Sequence, residues 1–108
     1  MRLLLFALGF FFTLNCQSQV VVKHFNAAWN SVNKVNWLGK LSDCTVKYYD
    51  ITKYPDLQKK YKVVVVPTIV LFLDGEEIER YQADISFKMS ATKEEIQEAI
   101  DESIMSGF

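Results

Sequence analysis

Few side chains in this sequence are equipped for covalent or acid–base chemistry. Cys16 and Cys44 are the only thiols, and His24 is the only imidazole. A thiolate attacks disulfides and binds metals, and a histidine near neutral pH moves protons. The spacing excludes most of those uses. There is no C-x-x-C pair, and the cysteines and histidine are too few for a zinc site of the usual Cys/His type. No metal and no cofactor is expected. If Cys16 leaves with a leader, or carries a lipid, Cys44 has no intramolecular partner, and a disulfide framework is excluded in the mature chain. Cys44 then reads either as a small, partly buried hydrophobe or as a separate reactive or intermolecular thiol. His24 reads either as a neutral, hydrogen-bonded core residue or as a pH-sensitive group. Ser31 has no evident base beside it, so it is not a serious nucleophile.

The elements that position these residues fit within one domain. The chain has 108 residues, half of them hydrophobic, enough for a single packed core. With 12 basic and 13 acidic residues and a formal charge of −1, it lacks the basic balance of a nucleic-acid-binding surface. The beginning differs from the rest. Met1-Arg2 is a minimal positive region, and Leu3 to Leu14 is almost wholly apolar. Twelve helical residues span about 18 Å, short of the roughly 30 Å hydrocarbon core. Residues 1–18 therefore read as an export signal, and residues 19–108 as the mature domain. The expected location is the bacterial periplasm or the outside of the cell. Cys16 follows the apolar run as a lipid-bearing cysteine does, although Thr13-Leu14-Asn15 is a poor lipobox. Ordinary cleavage near Ser18 or Gln19 is the competing reading. A membrane enters only through that leader or its lipid.

After the leader, strand and helix patterns alternate. Val20–Phe25 is a β-branched run and predicts a strand. Val32, Val35, Leu38 and Leu41 predict a helix through about Leu41. Thr45–Ile51 predicts a second strand, and Pro55 opens a short helix whose apolar stripe is Leu57 and Tyr61. Pro67 divides the apolar run from Val63 to Leu73, so a third strand starts at Thr68. Asp74-Gly75 turns it into Glu76–Tyr81 as a hairpin. Ile85, Phe87 and Met89 alternate with Asp84, Ser86 and Lys88, which predicts an extended segment with one apolar side. Such a segment packs under the last helix or extends the sheet edge toward a partner strand. Thr92-x-x-Glu95 is a capping box, Ile96, Ala99, Ile100 and Ile104 form a buried face, and Gly107 is the expected stop. The order is β-α-β-α-β-β-α. Its first two strands are parallel, with a right-handed crossover, and its last two are an antiparallel hairpin.

Three segments give this order a resemblance. They are Phe25-Asn26-Ala27-Ala28-Trp29, then Tyr49-Asp50-Ile51 with Tyr54-Pro55-Asp56-Leu57, and then Val66-Pro67-Thr68 running into Val70–Glu76. Together they resemble the thioredoxin superfamily over about residues 20–105. The resemblance implies an α/β thioredoxin fold, with a four-stranded mixed central sheet flanked by helices and a cis-proline loop at Pro67. It also implies that the loop after the first strand is the active-site loop. In active members a Trp there precedes Cys-x-x-Cys at a helix start, where a thiol pKa is lowered. Here Trp29 is followed by Asn30-Ser31-Val32-Asn33, so both cysteine positions hold asparagine. An amide forms no mixed disulfide, which excludes dithiol exchange at that position. His24 matches the buried acid beneath the reactive thiol of many members, and it has no thiol to serve.

The family's peptide groove is built from residues that persist here: Trp29, Val66, Pro67 and Thr68. The resemblance therefore implies a redox-inactive domain that binds a peptide or protein partner. Retention of Trp29 and Pro67 by the fold alone is the plainer alternative. An enzyme working through Cys44 and a structural subunit of an envelope complex are the other readings. Cys44 precedes the second parallel strand, so it lies at the opposite end of the sheet from Trp29.

Overall fold

A computed structural model describes residues 19–106. The expected leader with Cys16, and the expected stop at Gly107, lie outside the described residues. Strand β1 is Val20–Asn26, β2 Thr45–Asp50, β3 Thr68–Leu73 and β4 Glu76–Gln82. Helix α1 is Pro55–Lys60 and α2 is Lys93–Ser106. The strands form one sheet in the order β2-β1-β3-β4. β1 runs parallel to β2 and antiparallel to β3, and β3 pairs antiparallel with β4.

Local chemistry accounts for the boundaries. Pro55 opens α1, where its missing N–H costs nothing. Asp74 and Gly75 both take positive φ, as a two-residue hairpin turn between twisted strands requires. Thr92 and Glu95 cap α2 reciprocally: the Glu95 N–H donates to Thr92 Oγ1, and the Thr92 N–H donates to Glu95 Oε1, each at 3.1 Å. The Val66–Pro67 peptide is cis, and β3 starts directly after it.

The sheet buries both faces. On one, Val20, Val22, Ile69 and Leu71 pack against Val35, Leu38, Leu41, Ile96 and Ile100. On the other, Phe25 and Val70 pack with Ile51, Val63 and Val66, and Leu57 of α1 and Tyr61, just after it, lie against them. Among the described residues no helix is long and apolar enough to cross a membrane.

Two expectations need correction. The helix expected through Leu41 is two short 3-10 pieces, Ala28–Asn33 and Leu38–Lys40. Val32, Val35, Leu38 and Leu41 recur at every third residue, which is the 3-10 period rather than 3.6. Asn30 breaks the first piece at φ −113° and ψ 23°, and Lys34 ends it at ψ 136°. Val35, Leu38 and Leu41 are buried, whereas Val32 is 87% exposed. The second correction concerns residues 83–90, which turn back instead of extending. Asp84 Oδ1 accepts hydrogen bonds from the Ser86 N–H, the Ser86 hydroxyl and the Lys88 N–H. The Asp84 N–H donates to the Lys88 carbonyl, and Phe87 takes φ 63°. An aspartate that bonds the backbone ahead of it favours a turn over a ladder, and this overrides the alternation. Ile85 is left 98% exposed.

Candidate functional site

The loop after β1 sits between the cis-proline segment and the Asp84 turn. Trp29 is 63% exposed, and its ring meets Phe87 edge-on with centroids 5.2 Å apart. Beside it, Val63–Val66, Ile51, Gln58 and Phe87 enclose a recess of about 100 Å³. Val64, on its rim, is exposed, whereas Val66, Pro67 and Thr68 are buried. The Thr68 hydroxyl donates to the Val65 carbonyl and so ties the loop to the start of β3.

The two asparagines that stand at the expected cysteine positions differ in burial. Asn30 is 3% exposed and turned inward. Its Nδ2 lies 3.1 Å from Asn26 Oδ1, 3.2 Å from the Phe87 carbonyl and 3.3 Å from the Val66 carbonyl. Asn26 Nδ2 donates back to the Asn30 carbonyl at 3.1 Å. Asn33 is half-buried, and its Nδ2 donates to Asn30 Oδ1 at 2.8 Å. A single amide thus joins the end of β1, the 3-10 turn, the cis-proline loop and the Asp84 turn. Buried polar groups are tolerated when they are bonded in this way. Ser31 and Val32 point to solvent. Sequence reasoning missed Asn26 and Phe87. The recurrence of Asn at 26, 30 and 33 was the available signal for Asn26, whereas Phe87 reaches Trp29 only through the turn.

His24 lies in β1, 2% exposed. Its Nε2 accepts the Val35 N–H at 3.3 Å, and the Tyr48 ring meets it edge-on at 5.1 Å. Nδ1 is buried without a partner. Burial first, and the Lys34 ammonium second, pull its pKa down to about 4, so the ring is neutral at pH 7. Cys44 precedes β2, whose Thr45 pairs with Val21 near the start of β1, whereas Trp29 follows the end of β1. Five residues of strand put about 17 Å between those ends. Burial and Asp43 raise the Cys44 pKa, the opposite of the activation that a nucleophilic thiol needs. Among the described residues no three His, Cys, Asp or Glu side chains are grouped to hold a metal ion.

No family model matches the sequence. A stretch of 39 residues is 41% identical to chloroplastic thioredoxin Y1 of Arabidopsis thaliana. That stretch is 36% of this chain and 23% of the plant protein, so the chain spans under a quarter of that relative. Solved structures match more of it. A point mutant of a thioredoxin from Halobacterium salinarum is 26% identical with a TM-score of 0.64, covering 80% of this chain and 75% of its own. Fasciola hepatica thioredoxin is 26% identical with a TM-score of 0.58, covering 80% and 82%. A malaria parasite thioredoxin-2, at 20% identity and a TM-score of 0.60 over 79% and 84%, supports the fold alone.

Proposed function

We propose that this chain, which has a thioredoxin-like fold, is an exported binding domain that takes an extended peptide or a protein segment and performs no dithiol chemistry. The observation that carries the reading is the apolar surface of Trp29, Val64 and Phe87, gathered around the recess beside Val66-Pro67. Exposed aromatic and β-branched side chains beside a concave wall are what an apolar peptide side chain needs. Asn30 holds that wall through hydrogen bonds, at the position from which sulfur would do chemistry. The exported location rests on the sequence of residues 1–18 alone.

Binding is tested with a library of extended peptides, followed by Trp29 fluorescence in a Trp37→Phe background. Peptides with a central apolar residue change the emission, and both Trp29→Ala and Val64→Asp abolish capture. Failure of every peptide, with emission unchanged, would overturn the reading. The thiol alternative is tested separately by insulin reduction with a dithiol donor. Wild type and Cys44→Ser both read zero if the proposal holds, whereas turnover that depends on Cys44 would replace it with an enzyme.

A further inference from the structure

The sheet has two outer strands among the described residues, and their sequences treat the open edge differently. β4 carries Glu76, Glu77 and Glu79, and its register on β3 shifts between Leu71 and Phe72. Charge and a bulge are the usual means of keeping an edge strand from meeting another strand. β2 has neither device. Its register on β1 is regular from Thr45 to Asp50, and Lys47 is the one charge inside its ends. Val46, Tyr48 and Tyr49 are of the β-branched and aromatic types that favour pairing.

The free backbone groups of β2 can be assigned. The Ile51 N–H donates to the Asn26 carbonyl of β1 at 2.9 Å. Bonding alternates along a parallel strand, so Lys47 and Tyr49 also face β1, and Val46, Tyr48 and Asp50 direct their N–H and C=O outward. The Asp50 carbonyl already accepts the Lys53 and Tyr54 N–H groups, whereas no turn or loop among the described residues bonds Val46 or Tyr48. The edge therefore offers both groups of Val46, both of Tyr48, and the Asp50 N–H.

We propose that this edge pairs with β2 of a second copy of the chain, antiparallel about a twofold axis through Tyr48, and joins the two sheets into one. In this register the two Tyr48 residues exchange both of their bonds, and each Asp50 N–H donates to the opposing Val46 carbonyl. Shifting until Lys47 meets Lys47 keeps as many bonds but sets like charges face to face. Shifting the other way, until Tyr49 meets Tyr49, aims the Tyr48 N–H at the Asp50 carbonyl, which is already occupied. In the register through Tyr48 each Lys47 lies across from Tyr49 of the other copy, where the ring takes its stem and charge. On the opposite face the Lys34 ammonium, 4.7 Å from the Tyr48 ring centre, shares its side with the opposing Asp50, of opposite charge. The strand is thus complementary to itself, which selects a second copy over an unrelated strand. The pairing is independent of the peptide groove and stands or falls separately from it.

An edge this short buries less area than stable complexes do, so the dimer is weak, with a Kd of about 10 µM to 1 mM. Sedimentation equilibrium of the purified protein tests it: the apparent mass climbs from the monomer value toward twice that value across this concentration range. Tyr48→Lys sets two ammonium groups on the axis and weakens association by about fivefold or more. Tyr48→Pro removes an outward N–H that β1 does not use, and it abolishes association while circular dichroism reports a folded chain. Disulfide trapping needs neither variant. In a Cys16→Ser, Cys44→Ser background, a mixture of Lys47→Cys and Tyr49→Cys proteins cross-links faster than either protein alone, because opposed residues that share no hydrogen bond lie closest. A chain that stays monomeric throughout the range would overturn the proposal and leave the edge to a foreign strand. So would association that survives both substitutions at Tyr48 in folded protein, or Lys47→Cys protein that cross-links fastest with itself.

Discussion

The burial of His24 makes the domain sensitive to mild acid. In the folded chain its pKa lies at about 4, and in the unfolded chain near the ordinary 6.5. Between these values the unfolded state binds a proton that the folded state refuses, so stability falls as pH is lowered. Above pH 6.5 both states are neutral and the effect vanishes. Below pH 4 both are charged and it levels off. The two pKa values give a loss of about 2 kcal/mol at pH 5 and about 3 kcal/mol at pH 4, relative to pH 7. Carboxylates titrate in the same range: hydrogen bonds from Thr52 lower Asp50, and those from Ser86 and Lys88 lower Asp84. Their share is removed by comparison with His24→Gln, whose side-chain oxygen can still accept the Val35 N–H and does not titrate. Urea unfolding at pH 7, 5 and 4 is the assay. With an m-value of about 1 kcal/mol/M, the wild-type midpoint falls at pH 5 by about 2 M more than that of the variant. Parallel pH profiles for the two proteins, or a wild type that gains stability on acidification, would refute the assignment of a buried, neutral His24.

Two further outcomes follow from the amide network. Asn30→Ala removes the amide that faces Asn26, Val66 and Phe87, and leaves the buried acceptors on Asn26 and Val66 short of a donor. Urea unfolding at pH 7 should show a loss of about 1–3 kcal/mol. The pair Asn30→Cys and Asn33→Cys places sulfur where two side chains already touch at 2.8 Å. On mild oxidation the double variant loses both added thiols in a thiol titration against wild type, and when reduced it gains insulin-reducing activity. A pair that stays reduced would show that the loop geometry, and not only its side chains, departs from that of a dithiol enzyme.

What could be read from the sequence was what neighbouring residues decide among themselves. Asp74-Gly75, Thr92 with Glu95, and Pro55 each set a turn or a helix end within four residues, and each element stands where its local chemistry puts it. The spacing of Val32, Val35, Leu38 and Leu41 was ambiguous, because three-residue recurrence fits a loose α-helix and a tight 3-10 turn alike. The alternation of Ile85, Phe87 and Met89 was real but subordinate, since the carboxylate of Asp84 outcompetes a strand that has no ladder to join. Asn30 was legible as an absence of sulfur. Its role as a buried tie was not, because Val66 and Phe87 lie 36 and 57 residues further along the chain.

A primary amide carries two hydrogens, yet Asn30 Nδ2 faces three oxygens. One oxygen is therefore always undersupplied, and the most distant of the three is the carbonyl that precedes the proline, at 3.3 Å. Under the proposed function, a guest's backbone N–H would have to compete at Val66 only with a donor that is already shared among three acceptors. The tie that braces the wall is also its least saturated bond, and it is where the proposed groove would take the first hydrogen bond of a guest.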